Sequence, residues 1–150
     1  MRLSDFEGQW QLSRRIEDKT GLGVGLMQGT AVFHRIPDGL RYEEDGELCF
    51  GTQPPMRAQR SYLWRPEPEY GPEHGPEHEG PGVQVLFSDG RPFHRIDLSQ
   101  PAPKAAHWCD PDHYDVNYDF GAWPEWHCTW QVSGPSKDYR MTTRYRRVTP

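Results

Sequence analysis

One short segment, HWCDPDHYD at residues 107–115, concentrates the side chains with the widest chemical range. Histidine, cysteine and aspartate are common metal ligands and catalytic groups. However, the segment lacks the C-x-x-C or H-x-x-x-H spacing that marks a zinc site. Alternation puts His107 and Cys109 on one face of a strand, and Asp110-Pro111-Asp112 has the composition of a turn. The segment therefore predicts a strand and a turn, and no metal or cofactor is assigned; zinc here, or haem bound through His94 or His107, is the less favoured alternative.

Groups suited to acid–base catalysis are present, but none lies in a catalytic motif. Imidazole titrates near neutral pH, so His94 or His107 beside a tyrosine could transfer protons. The sequence has no G-x-S-x-G elbow, no H-E-x-x-H and no phosphate-binding loop. A thiolate nucleophile at Cys49, Cys109 or Cys128 is only a formal alternative. No catalytic residue is assigned, and an enzyme with a His/Tyr acid–base pair is kept as an alternative.

Polar side chains on the inward faces of alternating segments point to a binding site. Arg14 shares a face with Trp10, and Arg60 shares a face with Trp64. A buried charge is costly unless it is paired or solvated, so both arginines either pair with Glu44 or line a wet cavity. Guanidinium groups among aromatic rings suit a small, partly apolar ligand with a carboxylate or phosphate. The predicted ligand-binding residues are Arg14, Arg60, Tyr62, Trp64, His94, His107, Tyr114, Tyr118, Trp130 and Tyr145.

The elements that must position these residues are antiparallel strands. Apolar and polar residues alternate along at least five segments, and turn residues separate them. Asp89-Gly90 predicts a hairpin that pairs Val85 with His94, and Pro37-Asp38-Gly39 predicts a tight turn. Ser4-Asp5-Phe6-Glu7 fits a capping box and predicts a short helical turn. The pattern indicates an all-β, up-and-down barrel of eight to ten strands.

Length and composition limit the classes of protein. The 150 residues suit one domain over residues 1–150, and residues 67–82, an acidic Gly/Pro/His segment with His74 and His78, predict a flexible loop. A net charge of −5 argues against nucleic-acid or anionic membrane partners. Three unpaired cysteines and a start without an apolar leader predict a soluble cytoplasmic protein. A homodimer is kept as an alternative to a monomer.

The start of the chain, Phe6-Glu7-Gly8-Gln9-Trp10, resembles the Gly-x-Trp signature of lipocalins and their calycin relatives. In those families the tryptophan plugs one end of the barrel and an arginine near the last strand covers it. The resemblance implies these roles for Gly8, for Trp10 and for one of Arg144, Arg146 and Arg147, with Arg146 chosen. The absence of a leader, of paired cysteines and of a signal for an outer helix departs from true lipocalins, so extracellular transport is not implied.

The whole chain also resembles an uncharacterised bacterial family of unknown function grouped with the calycins. The matching stretches are F-x-G-x-W, Asp89-Gly90-Arg91 with Phe93-His94, residues 107–118, and Gly134-Pro135 with Lys137-Asp138-Tyr139. This resemblance implies a fold and no activity. The sequence therefore predicts an intracellular barrel that binds a small amphipathic or anionic ligand in its lumen. The alternatives are the enzyme and an interaction module with a filled barrel.

Overall fold

A computed structural model of the chain describes residues 1–67 and 80–148. Most of the predicted loop at 67–82, with His74 and His78, lies outside these residues. The described part has one short 3-10 helix, Leu3–Phe6, and ten strands. The strands are β1 (Gly8–Asp18), β2 (Gly23–Ile36), β3 (Gly39–Phe50), β4 (Met56–Pro66), β5 (Gly82–Phe87), β6 (Pro92–Asp97), β7 (Lys104–Cys109), β8 (Asp112–Asp119), β9 (Trp126–Ser133) and β10 (Asp138–Arg147).

The strands form one antiparallel sheet that curls into a nearly closed barrel. Strands that are neighbours in the chain pair with each other except β6 and β7, and β1 also pairs with β10, which gives the order β6-β5-β4-β3-β2-β1-β10-β9-β8-β7. The two end strands, β6 and β7, lie side by side and complete the wall. The predicted all-β up-and-down barrel is confirmed. No helix in the described residues is long and apolar enough to cross a membrane.

The hairpin of β5 and β6 has the register expected from Asp89-Gly90. Val85 pairs with His94, and Val83 pairs with Ile96. A β-bulge after Val85 shifts the register, and Phe93 is buried beside His94. The bulge therefore turns two successive residues of β6 into the interior, which strict alternation does not allow.

The helical turn at the start of the chain is present, but its predicted capping box is wrong. The turn begins at Leu3, so the capping carboxylate is that of Asp5, which accepts a hydrogen bond from the Arg2 amide at 2.8 Å. The helix thus begins before Ser4, and Glu7 follows its end. Leu3 and Phe6 are buried, which fixes the turn against one end of the barrel.

That end of the barrel is plugged by aromatic rings packed around Phe6. The Trp10 indole Nε1 donates to the Phe6 carbonyl at 2.9 Å. The ring centroids around Phe6 lie 4.9 to 5.7 Å away. These rings belong to Phe33, Trp64, Phe120, Trp123 and Trp126. Edge-to-face ring packing of this kind favours one arrangement of the plug side chains.

The arginine that covers Trp10 is Arg147, so the choice of Arg146 is corrected. The Arg147 guanidinium lies 4.1 Å from the centre of the Trp10 ring. It also donates to the carbonyl of Glu7 at 2.8 Å and to that of Asp5. Arg146 points outward, where its Nε donates to Glu125 at 2.9 Å. Because Arg147 is the partner of Trp10 in the β1–β10 register, its side chain falls on the inner face.

Candidate functional site

An ion pair between Arg14 and Glu44 crosses the barrel lumen. Two guanidinium nitrogens of Arg14 donate to the two Glu44 oxygens at 3.1 and 2.7 Å, and Arg14 Nε donates to Thr143 Oγ1 at 2.8 Å. Both charged side chains are almost fully buried. Burial alone would lower the pKa of Arg14, but the Glu44 carboxylate together with Tyr145 and Tyr42 outweighs burial, and the pKa is raised. Arg14 is thus a fixed cation whose charge Glu44 balances.

A chain of hydrogen bonds through two tyrosines extends from the same carboxylate. Tyr42 donates to Glu44 Oε2 at 3.0 Å, and the hydroxyls of Tyr42 and Tyr145 are 2.9 Å apart. A carboxylate can only accept, so Tyr42 uses its one proton on Glu44 and Tyr145 donates to Tyr42. Burial raises the pKa of both phenols, so both stay protonated at neutral pH. This chain of hydrogen bonds helps to hold the Glu44 carboxylate in its orientation.

His94 lies beside a tyrosine, as the enzyme alternative requires, and this tyrosine is Tyr118. His94 Nε2 and the Tyr118 hydroxyl are 2.7 Å apart, and both residues are buried. Burial, with a smaller effect from His107, lowers the pKa of His94 to about 3, while burial raises the pKa of Tyr118. Burial also raises the pKa of the neighbouring Cys128 thiol to about 12. At neutral pH the group is uncharged, so His94 offers a hydrogen bond but no positive charge.

These groups surround a cavity of about 30 Å³. Its volume admits one or two water molecules and is far below the several hundred Å³ typical of an organic ligand site. Seven of the ten predicted ligand-binding residues line it: Arg14, Tyr62, Trp64, His94, Tyr118, Trp130 and Tyr145. The lumen is therefore mostly filled by side chains, and the internal pairing of Arg14 with Glu44 is the arrangement observed.

The other three predicted residues, Arg60, His107 and Tyr114, lie nearer the surface in a ring that we call the rim. The rim comprises the half-buried side chains of Arg60, Tyr62, Phe87, His107, Tyr114 and Tyr139. Successive rim rings from Tyr62 through Phe87 and His107 to Tyr114 have centroids 5.9 to 6.3 Å apart. Arg60 interacts with the hydroxyls of Tyr62 and Tyr139, which are both members of the rim.

Arg60 is the charged member of the rim. Its guanidinium carbon lies 5.2 Å from the centre of the Trp130 ring, and its Nε is 3.9 Å from Glu44. Its side chain is 36% exposed, whereas that of Arg14 is 5% exposed. Burial lowers the pKa of His107, so that rim histidine is neutral at neutral pH. One cation at the rim can therefore reach both solvent and the lumen.

The segment that carries most chemical groups in the sequence is dispersed in the fold. His107 packs on Phe93 at 5.3 Å, while Cys109 is exposed, and Asp112 pairs with Lys137 at 2.8 Å. In the described part of the chain, no three His, Cys, Asp or Glu side chains come together where they could share a metal ion. Asp110-Pro111 forms a turn between β7 and β8, whereas Asp112, which the sequence also assigned to the turn, is the first residue of β8.

Sequence reasoning missed several residues of the lumen. Tyr42 and Thr143 complete the hydrogen bonds of the ion pair, and Trp126 and Met141 line the cavity. All four lie on the inward faces that alternation assigns, so the signal was present. Alternation shows which face of a strand a residue lies on, but not its position along the barrel axis. That position decides which inward residues contact one another.

The closed meander, the Trp10 plug and the Arg147 cover define a lipocalin-like, or calycin-like, barrel. The chain belongs to a family of unknown function, DUF6314, whose sequence pattern matches residues 6–147. This confirms the predicted membership in a family of unknown function. No characterised protein matches the sequence significantly.

Two solved structures resemble the barrel. An S-type phycobiliprotein lyase from Guillardia theta aligns with a TM-score of 0.67 and 7% identity, over 100% of this chain and 94% of the lyase. A redesigned β-barrel bound to DFHBI aligns with a TM-score of 0.42 and 10% identity, over 97% of each chain. The likeness to the lyase is one of fold.

Proposed function

We propose that the barrel binds a small amphipathic anion at its rim, with the anionic group on Arg60 and the apolar body against the surrounding rings. The observation that carries this proposal is the position of Arg60, which lies over the Trp130 ring at 5.2 Å and remains about one-third exposed. A guanidinium held by aromatic rings at the edge of a cavity suits a carboxylate, sulfonate or phosphate.

The balance of charge in the lumen favours an anion. Arg14 and Arg60 face one carboxylate, Glu44, and Arg14 occupies both oxygens of that carboxylate. Arg60 reaches Glu44 only at 3.9 Å, which is longer than a hydrogen bond. The described interior therefore keeps one positive charge in excess, at the side that solvent can reach. An incoming anion would neutralise it without breaking the buried pair.

The apolar part of the ligand would pack on rings rather than enter a preformed hole. Phe87 and Phe93 stack at 4.7 Å, and Phe93 contacts Trp130 edge-on at 5.3 Å. The cavity of about 30 Å³ below them is too small for an organic molecule. Binding thus requires rim side chains such as Tyr62 to move outward, so a flat aromatic ligand fits better than a bulky one.

The likeness to the phycobiliprotein lyase supports the proposal only through the shared barrel scaffold. At 7% identity it indicates nothing about which molecule this chain binds. The proposed ligand class is therefore inferred from the residues of the rim alone.

A second candidate is an interaction module, which the filled lumen favours. In that case the outer surface would carry the function. Three large apolar side chains stand out there among the described residues: Leu22 is 53% exposed, Leu26 is 54% exposed and Trp108 is 62% exposed. The enzyme alternative has less support, because burial moves the pKa of His94 down to about 3 and raises that of Tyr118, so that neither group exchanges a proton readily at neutral pH.

The test is fluorescence titration with anilinonaphthalene sulfonate, an aromatic anion, against the wild type, Arg60→Gln and Arg57→Gln. Arg57 is the matched control, since it lies on the same strand and points outward to Asp45 at 2.7 Å. Loss of a charge-assisted hydrogen bond at Arg60 should weaken binding by about tenfold or more. Arg57→Gln should leave binding unchanged, and equal affinities in all three proteins would favour the interaction module.

A further inference from the structure

Two aromatic residues that line the cavity at the centre of the barrel, Trp126 and His94, each have a ring nitrogen without a partner among the described residues. Trp126 Nε1 and His94 Nδ1 are buried and have no hydrogen-bond partner within the described protein. Trp126 is 1% exposed and His94 is 9% exposed, and both rings line the cavity of about 30 Å³. A buried polar group without a partner is costly, and natural interiors usually supply one.

The two nitrogens require an occupant that accepts a hydrogen bond from Trp126 and that, in one of the two tautomers of His94, also donates one to His94. Trp126 Nε1–H is a donor and needs an acceptor. Whether His94 Nδ1 is a donor or an acceptor depends on which group supplies the proton of the 2.7 Å hydrogen bond between His94 Nε2 and the Tyr118 hydroxyl. If Tyr118 donates to Nε2, Nδ1 carries a proton; if Nε2 donates, Nδ1 is an acceptor. Water and a hydroxyl group satisfy either case, whereas a carboxylate, which only accepts, satisfies the first case alone.

The charge around the cavity also selects a neutral occupant. The one cation and the one anion that line it, Arg14 and Glu44, already neutralise each other through two hydrogen bonds. The remaining polar members are phenols, a thiol and a hydroxyl, such as Tyr118, Cys128 and Thr143. The volume suffices for one or two waters or for a single small group at the end of a larger molecule.

We infer that this cavity is a binding site for a small neutral hydroxyl-type group, either water or the hydroxyl of a retained molecule, which accepts a hydrogen bond from Trp126 and satisfies His94. The site is separate from the anion site proposed at the rim and does not depend on it. It makes the interior of the barrel polar at its centre although rings fill most of the lumen.

The test measures the chemical shift and the cross-peaks of the Trp126 indole proton, which is observed in a proton–nitrogen correlation spectrum of the whole protein. The resonance is identified by its loss in Trp126→Phe and, independently, by its contacts with Tyr145, whose ring stacks on Trp126 at 3.8 Å. Trp10 is the internal control, because its indole is buried and donates to the protein itself at 2.9 Å.

The inference predicts a downfield Trp126 indole proton with a cross-peak to water, while Trp10 has no such cross-peak. Cross-peaks to protons of a bound organic molecule would identify a retained hydroxyl compound as the occupant. An upfield Trp126 proton with neither kind of cross-peak would show a dry cavity and overturn the inference. None of these results depends on Arg60, so the anion proposal stands or falls separately.

Discussion

At the scale of the residue, the interior is organised by one carboxylate. Glu44 receives hydrogen bonds from Arg14 and Tyr42, and Tyr145 supports Tyr42 from behind. The sequence indicated that Arg14, Arg60 and Glu44 face inward, because alternation assigns faces. It left open whether they pair or line a wet cavity, because pairing depends on strand register and on depth in the barrel.

Replacing Glu44 tests this organisation. Glu44→Gln keeps the shape of the side chain but leaves the Arg14 cation buried without its partner, and we expect a loss of about 3–5 kcal/mol in the free energy of unfolding. Urea denaturation measures the loss. The control is Asp45→Asn, one residue along β3, where the carboxylate pairs with Arg57 in solvent and little change is expected. Similar losses for both variants would contradict the assigned role of Glu44.

His94 makes the stability of the barrel depend on pH. Its pKa is about 3 in the folded protein, against an ordinary value of 6.5, so the unfolded chain binds the proton more readily. The stabilisation is complete above about pH 6.5 and is lost as the pH falls toward 3. The lowered pKa of His107 acts in the same direction.

We expect the free energy of unfolding to fall by up to about 1.4 kcal/mol for each pH unit below about pH 6. His94→Gln, which cannot titrate, should flatten this slope. Urea denaturation of both proteins between about pH 6.5 and 4.5 makes the comparison before most carboxylates titrate. Identical slopes would mean that His94 is protonated equally in the folded and unfolded states.

At the scale of the element, the two ends of the barrel differ in how they are closed. The plug end has the helical turn, the aromatic cluster and Arg147, while the rim has half-buried rings and one cation. The resemblance to the lipocalin signature implied the plug at Gly8 and Trp10, and Arg146 was chosen as the arginine that covers it. Alternation along β10, in which Met141, Thr143 and Tyr145 are buried, continues to Arg147 and could have corrected that choice.

The cover of the plug can be tested with two adjacent arginines. Arg147→Gln removes the contact with Trp10 and two hydrogen bonds to backbone carbonyls, and we expect it to cost about 1–2 kcal/mol of stability. Arg146→Gln removes only a surface pair with Glu125 and should change stability little. Thermal and urea denaturation of the two variants compare them directly. If Arg146→Gln is the more destabilising variant, the sequence-based choice was right after all.

At the scale of the whole molecule, the barrel closes its wall with side chains where β6 meets β7. His94 of β6 bonds Tyr118 of β8, and Phe93 packs on His107 of β7 at 5.3 Å. The strand count, the hairpin register and the single sheet followed from alternation and turn residues. How far the lumen is filled did not follow, because it depends on how the rings pack around Phe6 and on the bulge that turns Phe93 inward.

The central claim is that Arg60 gives the rim its preference for anions. The most direct measurement is the ratio of affinities for anilinonaphthalene sulfonate and for phenylnaphthylamine, a neutral aromatic amine of similar size, in the wild type and in Arg60→Gln. We predict a preference of about tenfold or more for the anion in the wild type, and its loss in the variant with the affinity for the amine unchanged. A preference for the anion that survives in Arg60→Gln would contradict the claim. An equal loss of affinity for the anion and for the amine would also contradict it.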